Sequence, residues 1–251
     1  MATTRPKETA WDFIKTFIWA IAIAMVFRSF CYEPFHIPSG SMLSTLHEGD
    51  YIFVSKLSYG YSRYSFPFGT SKIFDGFEGR ILASEPERGD VIVFRLPINP
   101  KVDYIKRLIG LPGDRIRVIN GLLYVNGQQA TQKRIDDFQA PISGGGIKFM
   151  PRFLEQLPDG PEHVILDEKP NGDVDNTEDY VVPEGHYFFM GDNRDNSVDS
   201  RYLADVGYVP ARNLVGHAKI IMVSANPEVP FSNIVAWFKN LRYDRFFNII
   251  R

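Results

Sequence analysis

Between Lys15 and Arg28 the chain runs from Thr16 to Phe27 with no charge and almost no polar group. A stretch of that kind has to leave water, for a bilayer or for a core. Taken strictly, it is too short to span a membrane. Extended to Phe13 and Cys31, it gives roughly 28 Å of helix at about 1.5 Å per residue, close to the thickness of a bilayer core, with Lys15 and Arg28 placed to snorkel at its ends. Trp11 lies where an interfacial belt residue belongs, whereas Trp19 does not. Three readings compete: an anchor, a cleavable leader with Ala-x-Ala at Ala20 to Ala22 or Ala22 to Ala24, and a buried helix. The anchor is favoured, because cleavage would leave Met25 to Cys31 as an apolar new N-terminus. Arg5, Lys7 and Lys15 precede the centre of the segment and Arg28 follows it, a bias that keeps the N-terminus in the cytoplasm and sends the remainder outside.

That remainder reads as β. Tyr51 to Val54, Val91 to Phe94 and Arg115 to Val118 each follow a Gly-Asp pair, turn chemistry that leads into a strand. Asn120-Gly121 and Asn126-Gly127 bracket Leu122 to Val125, which predicts a hairpin. Later apolar runs sit at Tyr180 to Val182, His186 to Met190 and Val215 to Val223. The expected fold is mainly β, an all-β body behind one N-terminal helix. Tyr59 to Phe68 reads as an ordered loop or β-extension. Ala140 to Asp179 reads as a loop-rich insertion with a short helix at Pro151 to Leu157 and an acidic run after it. In that run Asp173, Asp175 and Thr177, with Glu184 at the twelfth place, hint at a calcium loop, but Glu178 occupies the glycine position, and a solvated acidic loop is the better reading. The boundaries are then 1–31 for the cytoplasmic end and anchor, 32–230 for the β body, and 231–251 for a tail. In the tail Ile234, Trp237, Phe238 and Leu241 recur at helical spacing, with Lys239, Arg242 and Arg245 off that stripe. The stripe fits a membrane surface and the β body equally well.

The chemistry starts at Phe35-His36-Ile37-Pro38-Ser39-Gly40-Ser41-Met42. Pro38 holds Ile37 extended and Gly40 permits a sharp turn with close backbone approach. Ser41 can stand there as a nucleophile, with Ser39 and a backbone N–H beside it for a developing oxyanion. A serine needs a base. The five histidines carry no paired local signature. Lys106, in Asp103-Tyr104-Ile105-Lys106-Arg107-Leu108-Ile109, shares a strand face with Tyr104 and Leu108, which can strip water from its ammonium. Arg107 points to the other face and cannot be deprotonated. Finally, Gly191 to Arg201 packs short polar side chains directly after an apolar strand, a hydrogen-bonded turn in which Ser197 can orient an amine and Asp199 can pair with Arg201 or Arg194. As a metal loop that turn fails, with Val198 at the glycine place and Ala204 at the glutamate place.

Pro38 to Met42, Tyr104 to Arg107 with Gly110-Leu111-Pro112-Gly113-Asp114, and Gly191 to Arg201, in that order behind an apolar helix, resemble the motif set of bacterial type I signal peptidases. Tyr59 to Gly69 is also similar to alphaproteobacterial versions. The resemblance implies a serine endopeptidase with Ser41 as acyl-enzyme nucleophile and Lys106 as base. It implies Ser39 in the oxyanion hole, Ser197 steering the lysine, and Asp199 and Arg201 supporting the turn. Phe35, Ile37, Tyr104 and Ile105 fall where that family lines shallow pockets for small side chains, the Ala-x-Ala preference. The implied partners are signal peptides of exported preproteins and a lipid bilayer, at the outer face of the inner membrane; no metal or cofactor is implied. Oligomeric state stays open. One departure is Ser44 where the family has proline, expected to loosen the turn. A formal net charge of -2 gives no reason to expect nucleic acid, and the single Cys31 decides nothing about compartment. Two rivals remain: a membrane-anchored β module that binds peptides without cutting them, and a specialised peptidase for one conjugation or pilus protein.

Overall fold

The computed structural model describes residues 9–65, 79–141, 146–169, 171–229 and 232–251. Helix α1 covers Ala10–Phe30, opened by a reciprocal Thr9/Asp12 capping box and exposed along its length. Among the described residues fourteen strands follow: β1 (Tyr32–His36), β2 (Asp50–Ser55), β3 (Val91–Leu96), β4 (Asn99–Gly110), β5 (Arg115–Ile119), β6 (Leu122–Val125), β7 (Gln128–Gln129), β8 (Thr131–Pro141), β9 (Ile147–Gln156), β10 (Glu162–Leu166), β11 (Tyr180–Val181), β12 (His186–Met190), β13 (Val209–Pro210) and β14 (Leu214–Ser224). A short helix α2 (Ile234–Lys239) precedes the last turns.

The principal sheet has the order β1-β2-β14-β3-β4-β12-β13, and every pairing in it is antiparallel. Central β3 reads as an unbroken apolar run because both its faces are covered. Val91 and Val93 enter a cluster with Ile37, Met42, Ile52 and Val215, while Ile92 and Phe94 enter another with Leu108, Phe189 and Val209. The three strands that follow Gly-Asp pairs, and the Leu122 hairpin strand, stand where the sequence puts them. Asn120 and Gly121 have φ of 50° and 77°, and Asn126 and Gly127 have 54° and 80°. Positive φ at both central residues is the two-residue hairpin turn whose twist matches the strands it joins. These turns build the small sheet β11-β5-β6-β7.

The stretch read as an insertion is less irregular than its composition implies. Pro151 to Leu157, expected as a helix, lies for the most part in β9, the centre of a three-stranded sheet β10-β9-β8. Its Phe-Leu-Glu-Gln run satisfies either period over so short a length, and cross-strand partners on both sides decide for the strand. The extension at Tyr59 to Gly69 is described only to Ser65, where turns surround an isolated bridge from Tyr61 to Ile81. Residues 66–69, like Gly144 and Gly145, lie outside the described residues.

The tail also departs from its helical stripe. The helix ends at Lys239, and Leu241 forms a bridge to Ala225 instead. Arg242 and Arg245, expected off the stripe, turn inward. Arg245 donates from Nη2 to Asp50 Oδ2 at 2.6 Å and from Nε to Oδ1 at 3.2 Å, and Arg242 Nη2 stands 3.6 Å from Oδ1. Asp50 is fully buried and also accepts from Ser224 Oγ at 2.6 Å and His47 N–H at 2.8 Å. Ile250 completes the Met42 cluster, so the tail's last turns pack on the β body. Asp50→Ala removes the carboxylate that accepts from Arg245, Ser224 and His47 N–H and that offsets the charge of Arg242. It is expected to cost about 3 kcal/mol, read as a lower thermal midpoint in detergent; an unchanged midpoint refutes the assigned role of this hub.

Candidate active site

Ser41 lies in a tight turn, Gly40–Met42, between β1 and β2. Its neighbours fix it. Ile37 and Met42 are buried in the core, Ile37 N–H donates to Asp50 O, and Gly49 N–H donates to Ile37 O, so the loop is pinned on both sides of the serine. The second support comes from the Gly191 turn. Asn193 N–H donates to Ser41 O at 3.1 Å and its Nδ2 donates to Gly40 O at 3.0 Å. Gly191 has to be glycine: a Cβ there would stand 2.3 Å from Ser197 Oγ and 2.5 Å from Ser41 O.

Lys106 comes from β4, paired with Ile92 of β3. Its Nζ stands 2.6 Å from Ser41 Oγ, 3.0 Å from Ile105 O and 5.2 Å from the centre of the Tyr104 ring. Tyr104 thus shares its face, as the period of two requires. Only 4% of Lys106 is exposed. Burial lowers its pKa to about 8; Asp199 and Asp192 oppose that shift and Arg201 adds to it. Next door, Arg107 is fully buried and turned elsewhere, binding both carboxylate oxygens of Asp192 at 2.8 and 2.7 Å, with further bonds to Gly89 O, Thr45 Oγ1 and Arg251 O. Thr45 Oγ1 in turn donates to Asp192 Oδ2. Burial pushes the Asp192 carboxyl up, but Arg107, His163 and Thr45 together hold it below its usual range.

Of the turn residues, Asp199 pairs with Arg201 through Nε at 2.8 Å and Nη2 at 2.9 Å, and it accepts from Gly191 N–H at 2.9 Å. Burial raises its pKa and these partners lower it further, with the net direction downward. Arg194, the other candidate partner, is bound to Glu155 of β9. Ser197 Oγ is buried within this group, where it helps to hold the Asp199 carboxyl below its usual range, and it makes no hydrogen bond to Lys106. Ser39 is exposed at the mouth of the turn in extended conformation. Phe35 and Ile105 are half-buried against the cluster that holds Ile37, whereas Tyr104 packs toward Phe94. Ile37 itself is 2% exposed and enclosed by core.

Sequence reasoning missed the pairing partners: Asp192, Asn193, Thr45 and the Glu155–Arg194 pair. The visible signal was charge in an apolar setting, since Arg107 and Arg194 flank buried strands and such charges must be paired. It also misjudged Ser44. That residue has φ of 90°, which a proline ring cannot adopt, and its Oγ donates to Val164 O of β10 at 3.0 Å. Serine there ties the Ser41 loop to the three-stranded sheet β10-β9-β8. Among the described residues one set of carboxylates converges, Asp167, Asp175 and Asp195, away from the calcium spacing read in the sequence apart from Asp175. Burial, then Asp195 and Asp175, raise Asp167 to about 6.

A buried lysine on a serine hydroxyl, steadied by the three motifs, is the layout the resemblance implies, and comparison with known proteins decides the family. The family model described as signal peptidase, peptidase S26, matches residues 10–223. The chain belongs to the S26 signal peptidase family. A signal peptidase I of Rickettsia typhi (strain ATCC VR-144 / Wilmington) is 40% identical over 97% of this chain and 95% of its own, and that of Rickettsia massiliae (strain Mtu5) is 41% identical over 98% and 94%. A crystal structure of a signal peptidase I from Enterococcus faecalis V583 aligns at 30% identity and TM-score 0.31, covering 53% of this chain and 97% of that one. As an S26 member the chain is a serine endopeptidase that removes signal peptides.

Two measurements probe this geometry. Ser44→Pro, although it restores the family's residue, is expected to lower both thermal stability and activity, because it breaks the φ requirement and the bond to Val164; a gain in stability refutes that account. Lys106 binds fewer protons folded than unfolded between about pH 8 and 10.5, so its contribution to stability rises with pH across that window. The stability of Lys106→Met relative to wild type should therefore fall by about 3 kcal/mol from neutral to strongly alkaline pH. A pH-independent difference means that the lysine keeps an ordinary pKa.

Proposed function

We propose that the chain is a single-pass membrane endopeptidase, anchored by α1, in which Ser41 is the nucleophile and Lys106 the general base. It cuts signal peptides from exported preproteins after Ala-x-Ala-like sites on the outer face of the inner membrane. The observation that carries this reading is the 2.6 Å approach of Nζ to Oγ by a lysine stripped of water. In the neutral form Nζ takes the Oγ proton as Oγ attacks the scissile carbonyl. The oxyanion then forms beside the Ser41 N–H, with Ser39 Oγ within its loop to add a second donor. Lys106, now an ammonium, passes its proton to the leaving amine, and the same group next activates the water that hydrolyses the acyl-enzyme.

Ser197, with Asp199 and Arg201 behind it, is read as the wall that keeps Nζ desolvated and aimed. The substrate lies extended along the edge of the principal sheet near β1, its small side chains against Phe35, Ile105 and Tyr104, with the buried Ile37 as core support behind them. Narrow apolar pockets reject large residues by overlap. The anchor reading rests on Ala10–Arg28, an apolar helix with mean hydropathy 1.7 and none of it buried in the protein. Tethering confines enzyme and precursor to one surface and raises their effective concentration.

The test is cleavage of an Ala-x-Ala precursor in detergent across about pH 6 to 10. Wild type is expected to cut after the second alanine, with kcat/KM rising and levelling above pH of about 8. Ser41→Ala and Lys106→Met should each lose at least about a thousandfold in kcat. Full activity in Lys106→Met overturns the dyad, and unaltered processing in cells carrying Ser41→Ala favours a peptide-binding module.

A further inference from the structure

The loop between Ser41 and β2 closes on a four-residue turn, His47-Glu48-Gly49-Asp50, that is held on both flanks. Asp50 N–H donates to His47 O at 3.0 Å, and His47 N–H donates to Asp50 Oδ2 at 2.8 Å. Gly49 N–H donates to Ile37 O at 2.9 Å. Gly49 has φ of 85°, and a Cβ there would strike Ala225 O, so glycine closes the turn at no steric cost. On the other flank the His47 ring sits edge-on to Phe138 of β8, and Arg242 Nη2 donates to Glu48 O. The backbone that carries Glu48 is therefore fixed.

Glu48 is the exposed residue of this turn, and its side chain reaches back over Gly40. Its Oε1 lies 3.1 Å from where a Cβ on Gly40 would stand, and Asn196 Nδ2 of the Gly191 turn lies 3.8 Å from the same point. The residue before Ser41 is thus bare between a carboxylate and an amide brought in by two separate segments. Among the described residues no hydrogen bond or ion pair engages the Glu48 carboxylate. The nearby Arg242 is turned to Asp50, 3.6 Å away, and to the carbonyls of Glu48 and Ala225. An unpaired carboxylate on a fixed backbone sets a steady negative potential at the mouth of the site.

We propose that Glu48 selects for charge in the first residues downstream of the cut, favouring precursors whose mature end begins with lysine or arginine over those that begin with aspartate or glutamate. The proposal rests on the cleavage reading above, in which Phe35, Ile105 and Tyr104 take the residues before the scissile bond and Lys106 protonates the leaving nitrogen. That nitrogen carries the mature chain, so the chain departs on the side where Nζ lies. Asp192, Asp199 and Arg201 are the charges that act on Nζ, which makes the Gly191 turn the wall of that side. The exposed members of the turn are Asn196 and Val198. Asn196 faces Glu48 across Gly40, and this places the carboxylate beside the first mature residues, away from the apolar pockets. Those pockets read size; Glu48 reads charge. A partly exposed charge acts on encounter and binding, and salt screens it.

The experiment uses the full chain in detergent at low ionic strength. Three precursors share one signal sequence and one Ala-x-Ala site and carry Lys-Lys, Gln-Gln or Asp-Asp as the first two mature residues. Wild type is expected to cut the lysine precursor about tenfold better than the aspartate one in kcat/KM, mainly through KM, with the gap shrinking as salt is added. Glu48→Gln should bring that ratio close to one, and Glu48→Lys should invert it. Inversion is an outcome that a merely structural contact with Gly40 does not give. A wild-type ratio that survives in Glu48→Gln overturns the assignment, as does an equal loss on all three precursors in both variants. Cleavage of all three at one rate by wild type overturns this inference alone. Cleavage of none by wild type overturns the reading of the reaction, and this inference with it.

Discussion

An ammonium has to lose its water before it can lose its proton near neutral pH, and the site is built around that constraint. Lys106 is desolvated by the strands around it, yet two carboxylates, Asp192 and Asp199, lie close enough to favour its charged form. Left ionised and unpaired, they would undo the effect of burial. Each instead faces its own arginine, Arg107 for Asp192 and Arg201 for Asp199, so that little net negative charge is left to hold a proton on Nζ.

Pairing buried charges is expensive unless the geometry is good, because desolvation of both ions is offset only by close, multiply bonded contact. That requirement explains the three-stranded sheet. Its Glu155 takes Arg194 from the Gly191 turn, its Leu166 N–H donates to Asp192 O, and its Val164 carbonyl takes Ser44 of the Ser41 loop. The stretch that looked like an accessory insertion is therefore a buttress behind both halves of the site. Asn193, bonded to the carbonyls of Gly40 and Ser41, transmits that support to the serine's own backbone.

Strands β2, β3, β5 and β6 were legible because each carries a local signal: a Gly-Asp or Asn-Gly turn, then a run of residues with one or both faces apolar. Ser41 and Lys106, whose side chains meet in the fold, could be singled out for a different reason, since a turn-forming Pro-Ser-Gly-Ser and a lone lysine among apolar residues are short-range features. β9 was not legible, because its sequence suits helix and strand alike and its neighbours decide. Nor was the inward turn of Arg242 and Arg245, which a helical stripe assigns to solvent and a buried Asp50 nearly two hundred residues away draws back.

The sequence by itself determined which groups the chain has to work with and the local backbone each prefers: an apolar helix, antiparallel strands, a serine on a turn and a lysine on a strand. Tertiary structure alone decided that Nζ and Oγ meet, that Asp192 finds Arg107 across 85 positions, and that Ser44 takes a backbone state closed to proline. The physical reason is range. Propensity and periodicity act over a few residues, whereas desolvation and ion pairing depend on everything within several ångströms in space, and for this site those neighbours come from segments far apart in the chain.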